Sequence, residues 1–158
     1  MNPIGAMFRQ FCTAVNAGLK WNRAYNFASS QKYAESLAEI KSIERLVPVL
    51  PCRFQLLKAV MLQRLGQYEA ALDSYGRAIE LAQTDKGYSA SARSYLVCFA
   101  SVHGLHIAQH LGRESEYEFE VDYASVSLGN VPKHLKMEFP LRSHPQWLSS
   151  QGAKSKFR

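Results

Sequence analysis

His103, His106 and His110 recur at steps of three and four residues, a spacing that places all three on one stripe of a helix. Neutral imidazoles on one helix face could hold zinc or another transition metal. At about 1.5 Å of rise per residue, however, His103 and His110 would stand roughly 10 Å apart along the axis, too far to share one ion without outside help. No Cys-x-x-Cys pair and no His-Glu-x-x-His run lies nearby to complete a site. The stripe reads instead as a polar groove face or as ordinary packing histidines, and no metal or other cofactor is expected.

The remaining candidates for chemistry are weaker. Glu114, Glu116, Glu118, Glu120 and Asp122 form an acidic run that could serve as a cation site or an acid pair, but it lacks the ligand spacing of a calcium loop and reads as a solvated charged segment. Cys98 precedes Phe99 in an apolar stretch, the setting of an inert core thiol. Neither a Gly-x-Ser-x-Gly elbow nor a glycine-rich phosphate loop occurs. The chain is expected not to be an enzyme.

Charge is distributed unevenly. The net charge is +6, yet Met1 to Ala34 carries Arg9, Lys20, Arg23 and Lys32 with no carboxylate, while the stretch from Glu35 to Leu128 has more acids than bases. From Gly129 onward, Lys133, Lys136, Arg142, Lys154, Lys156 and Arg158 face only Glu138, interleaved with Phe139, Trp147 and Phe157. Such a basic and aromatic mixture suits phosphate backbones and base stacking, or docking onto a neighbouring subunit. No apolar run approaches the roughly 20 residues that span a bilayer. Three dispersed cysteines, Cys12, Cys52 and Cys98, make no disulfide framework and fit a reducing compartment. An acid-free N-terminus is also the composition of a mitochondrial import segment, so the cytoplasm is the expected location and the mitochondrion the alternative.

These residues need elements to position them. From Cys52 to Asp85 the pattern predicts two helices, Arg53 to about Leu65 and Tyr68 to Ala82, joined at Gly66. Ala59, Ala71 and Ala78 stand where two helices must approach closely, and Tyr68, Leu72, Tyr75 and Ile79 recur at helical steps. About one repeat earlier the frame returns, with Ala24 and Phe27 in a first helix, Tyr33, Ser36, Ile40 and Ile43 in a second, and Pro48 as a stop. A third unit is expected to open with a helix from Ser89 to Leu111, where Leu111-Gly112 echoes Leu65-Gly66. After it, Tyr117, Val121, Ala124 and Leu128 keep helical spacing although Glu118 to Asp122 also alternates like a strand; a helix ending near Gly129 is the expectation. Phe8, Phe11, Cys12 and Val15 predict an extra helix before Asn16 that covers the open end. Pro132, Pro140 and Pro145 predict an extended, irregular arm from Asn130.

The run LGQYEAALDSYGRAIEL from Leu65 to Leu81 closely resembles the second half of a tetratricopeptide repeat, a motif of about 34 residues. Gly66, Tyr68, Ala71, Tyr75 and Ala78 occupy the family's signature spacing, and Ala59 with Leu62 matches its first helix. Gln55 departs from a common tryptophan, and Gln83 from a usual proline. The resemblance covers about Ala17 to Asp85 well, Ser89 to Leu128 loosely, and the arm not at all. It implies an all-α fold: a short right-handed stack of antiparallel helical hairpins, about two to three repeats, with an N-terminal capping helix and an irregular C-terminal arm. The corresponding domains are 1–128 for the helical stack and 129–158 for the basic arm.

Such stacks curve and expose a concave face lined by the first helix of each pair. The resemblance implies that this face carries Trp21, Tyr25, Arg53, Leu56, Val60, Gln63 and Arg64, with His106 and His110 from the third unit. Aromatic anchors and arginines suit a peptide or helix, although Trp21 and Tyr25 could equally pack beneath the N-terminal helix. Relatives that clamp chaperone C-termini use Lys and Asn where this chain has Trp21, Tyr25 and Leu57, so that role is not implied. The expected function is a non-enzymatic adaptor or assembly subunit that binds a protein segment in the groove. The alternative is a nucleic-acid-associated protein or ribonucleoprotein subunit that meets RNA or another polyanion through its basic N- and C-terminal flanks, Lys133, Lys136, Arg142, Trp147, Lys154, Lys156 and Arg158 among them.

Overall fold

Three of the helices end in the same way, and that shared ending sets the architecture. The computed structural model describes residues 3–116, 126 and 128–141, with helices α1 (Pro3–Ser29), α2 (Tyr33–Glu44), α3 (Cys52–Arg64), α4 (Tyr68–Thr84), α5 (Ala90–His110) and α6 (Lys133–Glu138). After α3, Gly66 adopts a left-handed φ of 72°, and the Gly66 and Gln67 amides donate to the carbonyls of Gln63 and Leu62. After α5, Gly112 at φ 66° repeats the pattern, with Arg113 donating to Ala108. After α1 the same two hydrogen bonds run from Gln31 and Lys32 to Ala28 and Phe27, with Gln31, a non-glycine, at φ 60°. Each is a Schellman ending, which satisfies the last carbonyls of its helix and turns the chain back on itself.

The chain divides into two compact units, Met1–Ala71 and Leu72–Arg158, with the boundary inside α4. In the first unit, α1 and α2 form a close antiparallel pair. Ala24 is fully buried, and the buried Ser36 hydroxyl donates to the Ala24 carbonyl at 2.8 Å, a separation that only small residues allow. Leu37, Ile40 and Ile43 complete the buried face of α2. Helix α2 stops at Glu44, ahead of Pro48, as expected from the ring's clash with a continuing helix. In α3, Cys52, Gln55, Leu56, Leu57, Ala59, Met61 and Leu62 are buried.

The second unit is built on α5, which is buried on almost every side: Tyr95, Leu96, Phe99, Val102, Leu105 and Ile107 belong to its core. A helix that is apolar all round must be covered all round. Its start is fixed by Ser89, whose hydroxyl accepts from the Ala92 amide at 3.2 Å. Part of the covering comes from α6 and its flanks, where Val131, Leu135 and Phe139 are buried. The Tyr95 hydroxyl donates to the Phe139 carbonyl at 2.6 Å, and the Phe139 ring lies 5.3 Å from that of Phe99.

The described residues contain no strand, and the all-α fold class is as expected. Two local expectations change. The extra helix before Asn16 is the first half of α1, continuous with the second half. The segment from Val131 to Phe139, read as the start of an irregular arm, instead holds the short helix α6 and buries Val131, Leu135 and Phe139; Pro132 sits at the N-cap of α6, where a missing N–H costs nothing. The helix expected near Tyr117 to Leu128 falls mostly outside the described residues, and so does the arm beyond Leu141. Among the described residues, no helix is long and apolar enough to cross a membrane.

Candidate partner-binding surface

One turn of α1 separates Trp21 from Tyr25, so the two rings share a face, with centroids 6.5 Å apart. Against them the first turn of α3 brings Phe54, whose ring stacks on Trp21 at 4.3 Å with only 9° between the planes. The Arg53 guanidinium carbon stands 5.1 Å from the Trp21 ring centre, within range of a cation–π attraction. All four side chains are partly exposed, so this aromatic platform with a cation beside it remains open to solvent.

The helices that build it carry no carboxylate. Neither α1 nor α3 contains an Asp or Glu, and the acids that balance their cations come from α2. Glu39 meets Lys20 at 3.7 Å and Arg23 at 3.2 Å, and Glu44 accepts from Lys58 at 2.6 Å. Arg64, exposed at the end of α3, pairs with no carboxylate among the described residues. The surface therefore offers flat apolar area beside positive charge, and the carboxylates that α2 supplies to the two helices, Glu39 and Glu44, are each paired with a cation.

Of the residues expected in the groove, Trp21, Tyr25 and Arg53 are brought together. Val60 and Gln63 are half-buried further along α3. Leu56 is a correction: its exposure is 0%, so it belongs to the core and no partner can reach it. It lies one turn from Cys52 and just under one turn from Ala59, both buried, and that register turns it inward. Phe54 was missed, although it stands about one repeat length after Trp21.

His106 and His110 are exposed on α5 in the second unit. His103 is turned into an aromatic cluster, 4.4 Å from Phe99 and 5.7 Å from Tyr75. Among the described residues no group of three His, Cys, Asp or Glu side chains gathers closely enough to hold a metal ion. Cys98 is buried, as its apolar neighbours indicated. Of the acidic run, Glu114 and Glu116 form a short turn of 3-10 helix, while Glu118, Glu120 and Asp122 lie outside the described residues. Arg113 donates to Glu116 at 2.6 and 3.0 Å, and these hydrogen bonds hold the Glu116 carboxyl below its ordinary pKa. Lys133 is exposed and Lys136 half-buried on α6, whereas Arg142, Trp147, Lys154, Lys156 and Arg158 lie outside the described residues.

Compared with known proteins, the chain matches no family model, no curated protein and no solved structure. What stands is the class that the fold defines: an all-α chain of consecutive helices with repeated left-handed helix endings.

Proposed function

We propose that this chain is a non-enzymatic adaptor or assembly subunit of the tetratricopeptide-repeat kind, and that it holds an acidic peptide or helix against the Trp21 platform. The observation that carries the reading is the stack of Trp21 on Phe54 with Arg53 beside it, partly exposed on two helices without a carboxylate. Aromatic and arginine side chains contribute a disproportionate share of binding energy at interfaces, and here they are already held in place by their neighbours. The repeated turns at Gln31 and Gly66, about one repeat length apart, support the family resemblance.

A displayed peptide library selected on the full chain, with a Trp21→Ala, Arg64→Ala double variant as the counter-selection, tests this reading. Acidic sequences with an apolar anchor should be enriched by the original chain, bind more weakly as salt rises, and lose roughly tenfold or more in affinity on the double variant. The reading fails if no sequence distinguishes the two proteins. RNA retained equally by both, and lost on truncation after Leu141, would support the ribonucleoprotein alternative. Cutting at Val131 would not serve, because it removes Leu135 and Phe139 from the core of the second unit.

A further inference from the structure

Two histidines of α5 stand outside the core that the rest of that helix builds. His106 and His110 are both exposed and lie one turn apart, so they share a face at about 6 Å along the axis. His103, the third member of the sequence stripe, is turned toward the rings of Phe99 and Tyr75. The stripe is thereby reduced to a pair, and the span of roughly 10 Å that counted against three histidines does not apply to two neighbours. A separation of four residues is also the one by which a helix presents two zinc ligands in a His-Glu-x-x-His motif. Here Ile107, 1% exposed, stands where that motif has its glutamate, so the spacing is kept without the general base.

We propose that His106 and His110 chelate a divalent transition-metal ion of the nickel and zinc kind, as a two-point site on the surface of α5. Each imidazole needs only one ring nitrogen for the ion, at about 2.0–2.1 Å. The other nitrogen can keep a hydrogen bond, as that of a ligating histidine ordinarily does. The surroundings favour a cation. His110 is the last residue of α5, and the carboxyl end of a helix carries partial negative charge. Arg113, the nearest cation in sequence, donates to Glu116 at 2.6 and 3.0 Å, which offsets its own charge. Two imidazoles fill two positions of a four-coordinate ion, fewer than a structural or catalytic zinc site provides. The site therefore binds without hydrolysing, and its open positions accept water, or an imidazole or carboxylate from a partner. Imidazole donors suit nickel, copper and zinc, whereas magnesium and calcium prefer oxygen.

Calorimetric titration of the untagged, chelator-treated full chain with Ni(II) is the test, in a Cys12→Ser background that removes the exposed thiol. One ion per chain is expected, with Zn(II) bound as well, Mn(II) held more weakly than either, and Mg(II) without effect. His106→Gln and His110→Gln should each weaken Ni(II) binding at least about tenfold, whereas His134→Gln, exposed on α6, should leave it unchanged. All three positions are exposed, so circular dichroism and the thermal midpoint without metal should not move. Ni(II) should raise the midpoint of the Cys12→Ser chain and not of either α5 variant, because the one-turn spacing exists only while the helix does. Equal Ni(II) affinity in the Cys12→Ser chain and either α5 variant overturns the proposal. A loss as large in His134→Gln, or displacement of Ni(II) by excess Mg(II), overturns it as well.

Discussion

Replacing Gln31 by glycine should stabilise this protein, although it removes a side chain and adds chain flexibility. Gln31 closes α1 at φ 60°, the left-handed region, where a Cβ costs about 1–2 kcal/mol. Glycine does not suffer that penalty, but it loses more backbone freedom on folding, by about 0.5–1 kcal/mol. The net expectation for Gln31→Gly is a gain of about 0.5–1 kcal/mol, or several degrees in thermal midpoint for a unit of this size. The converse changes, Gly66→Ala and Gly112→Ala, should destabilise by a similar net amount, about 0.5–1 kcal/mol. A Cβ at either glycine would meet nothing within 4 Å, so the loss isolates backbone strain from crowding. Urea titrations read by far-ultraviolet circular dichroism and by Trp21 fluorescence, with Trp147 replaced by Phe, measure these effects. A Gln31→Gly chain no more stable than the original, together with a neutral Gly66→Ala, would refute the account of these endings.

Phe139→Ala should cost about 3–5 kcal/mol in the second unit, because Phe139 is 1% exposed and rests on Phe99, and Tyr95→Phe should cost about 1–2 kcal/mol by leaving the Phe139 carbonyl without its donor; both are read by denaturant midpoint. In a Cys12→Ser background no thiol should react with an aromatic disulfide reagent until unfolding, since Cys52 and Cys98 are 1% and 2% exposed; fast labelling of either under native conditions would contradict that burial. Glu116 should titrate below free glutamate by carbon-detected NMR, and its midpoint should rise in Arg113→Gln. The sign comes from the lowered folded pKa: the pairing contributes above the unfolded value and is lost as pH falls through the folded one.

What the sequence disclosed depended on whether a single residue type reported the geometry. Gly66 and Gly112 did, because glycine is the usual occupant of a left-handed helix ending. The equivalent turn at Gln31 was hidden, since nothing in a glutamine announces positive φ. Ser89 and Pro48 marked boundaries for reasons local to the backbone. At the C-terminal end, proline content outweighed the four-residue steps from Val131 to Leu135 to Phe139, yet those steps describe one face of a helix. Leu56 was assigned outward from the repeat frame, and its burial depends on the exact rotation of α3, which a frame does not fix. The aromatic platform was half legible: Trp21, Tyr25 and Arg53 stood out by type, whereas Phe54 joins them only through a contact between helices distant in sequence.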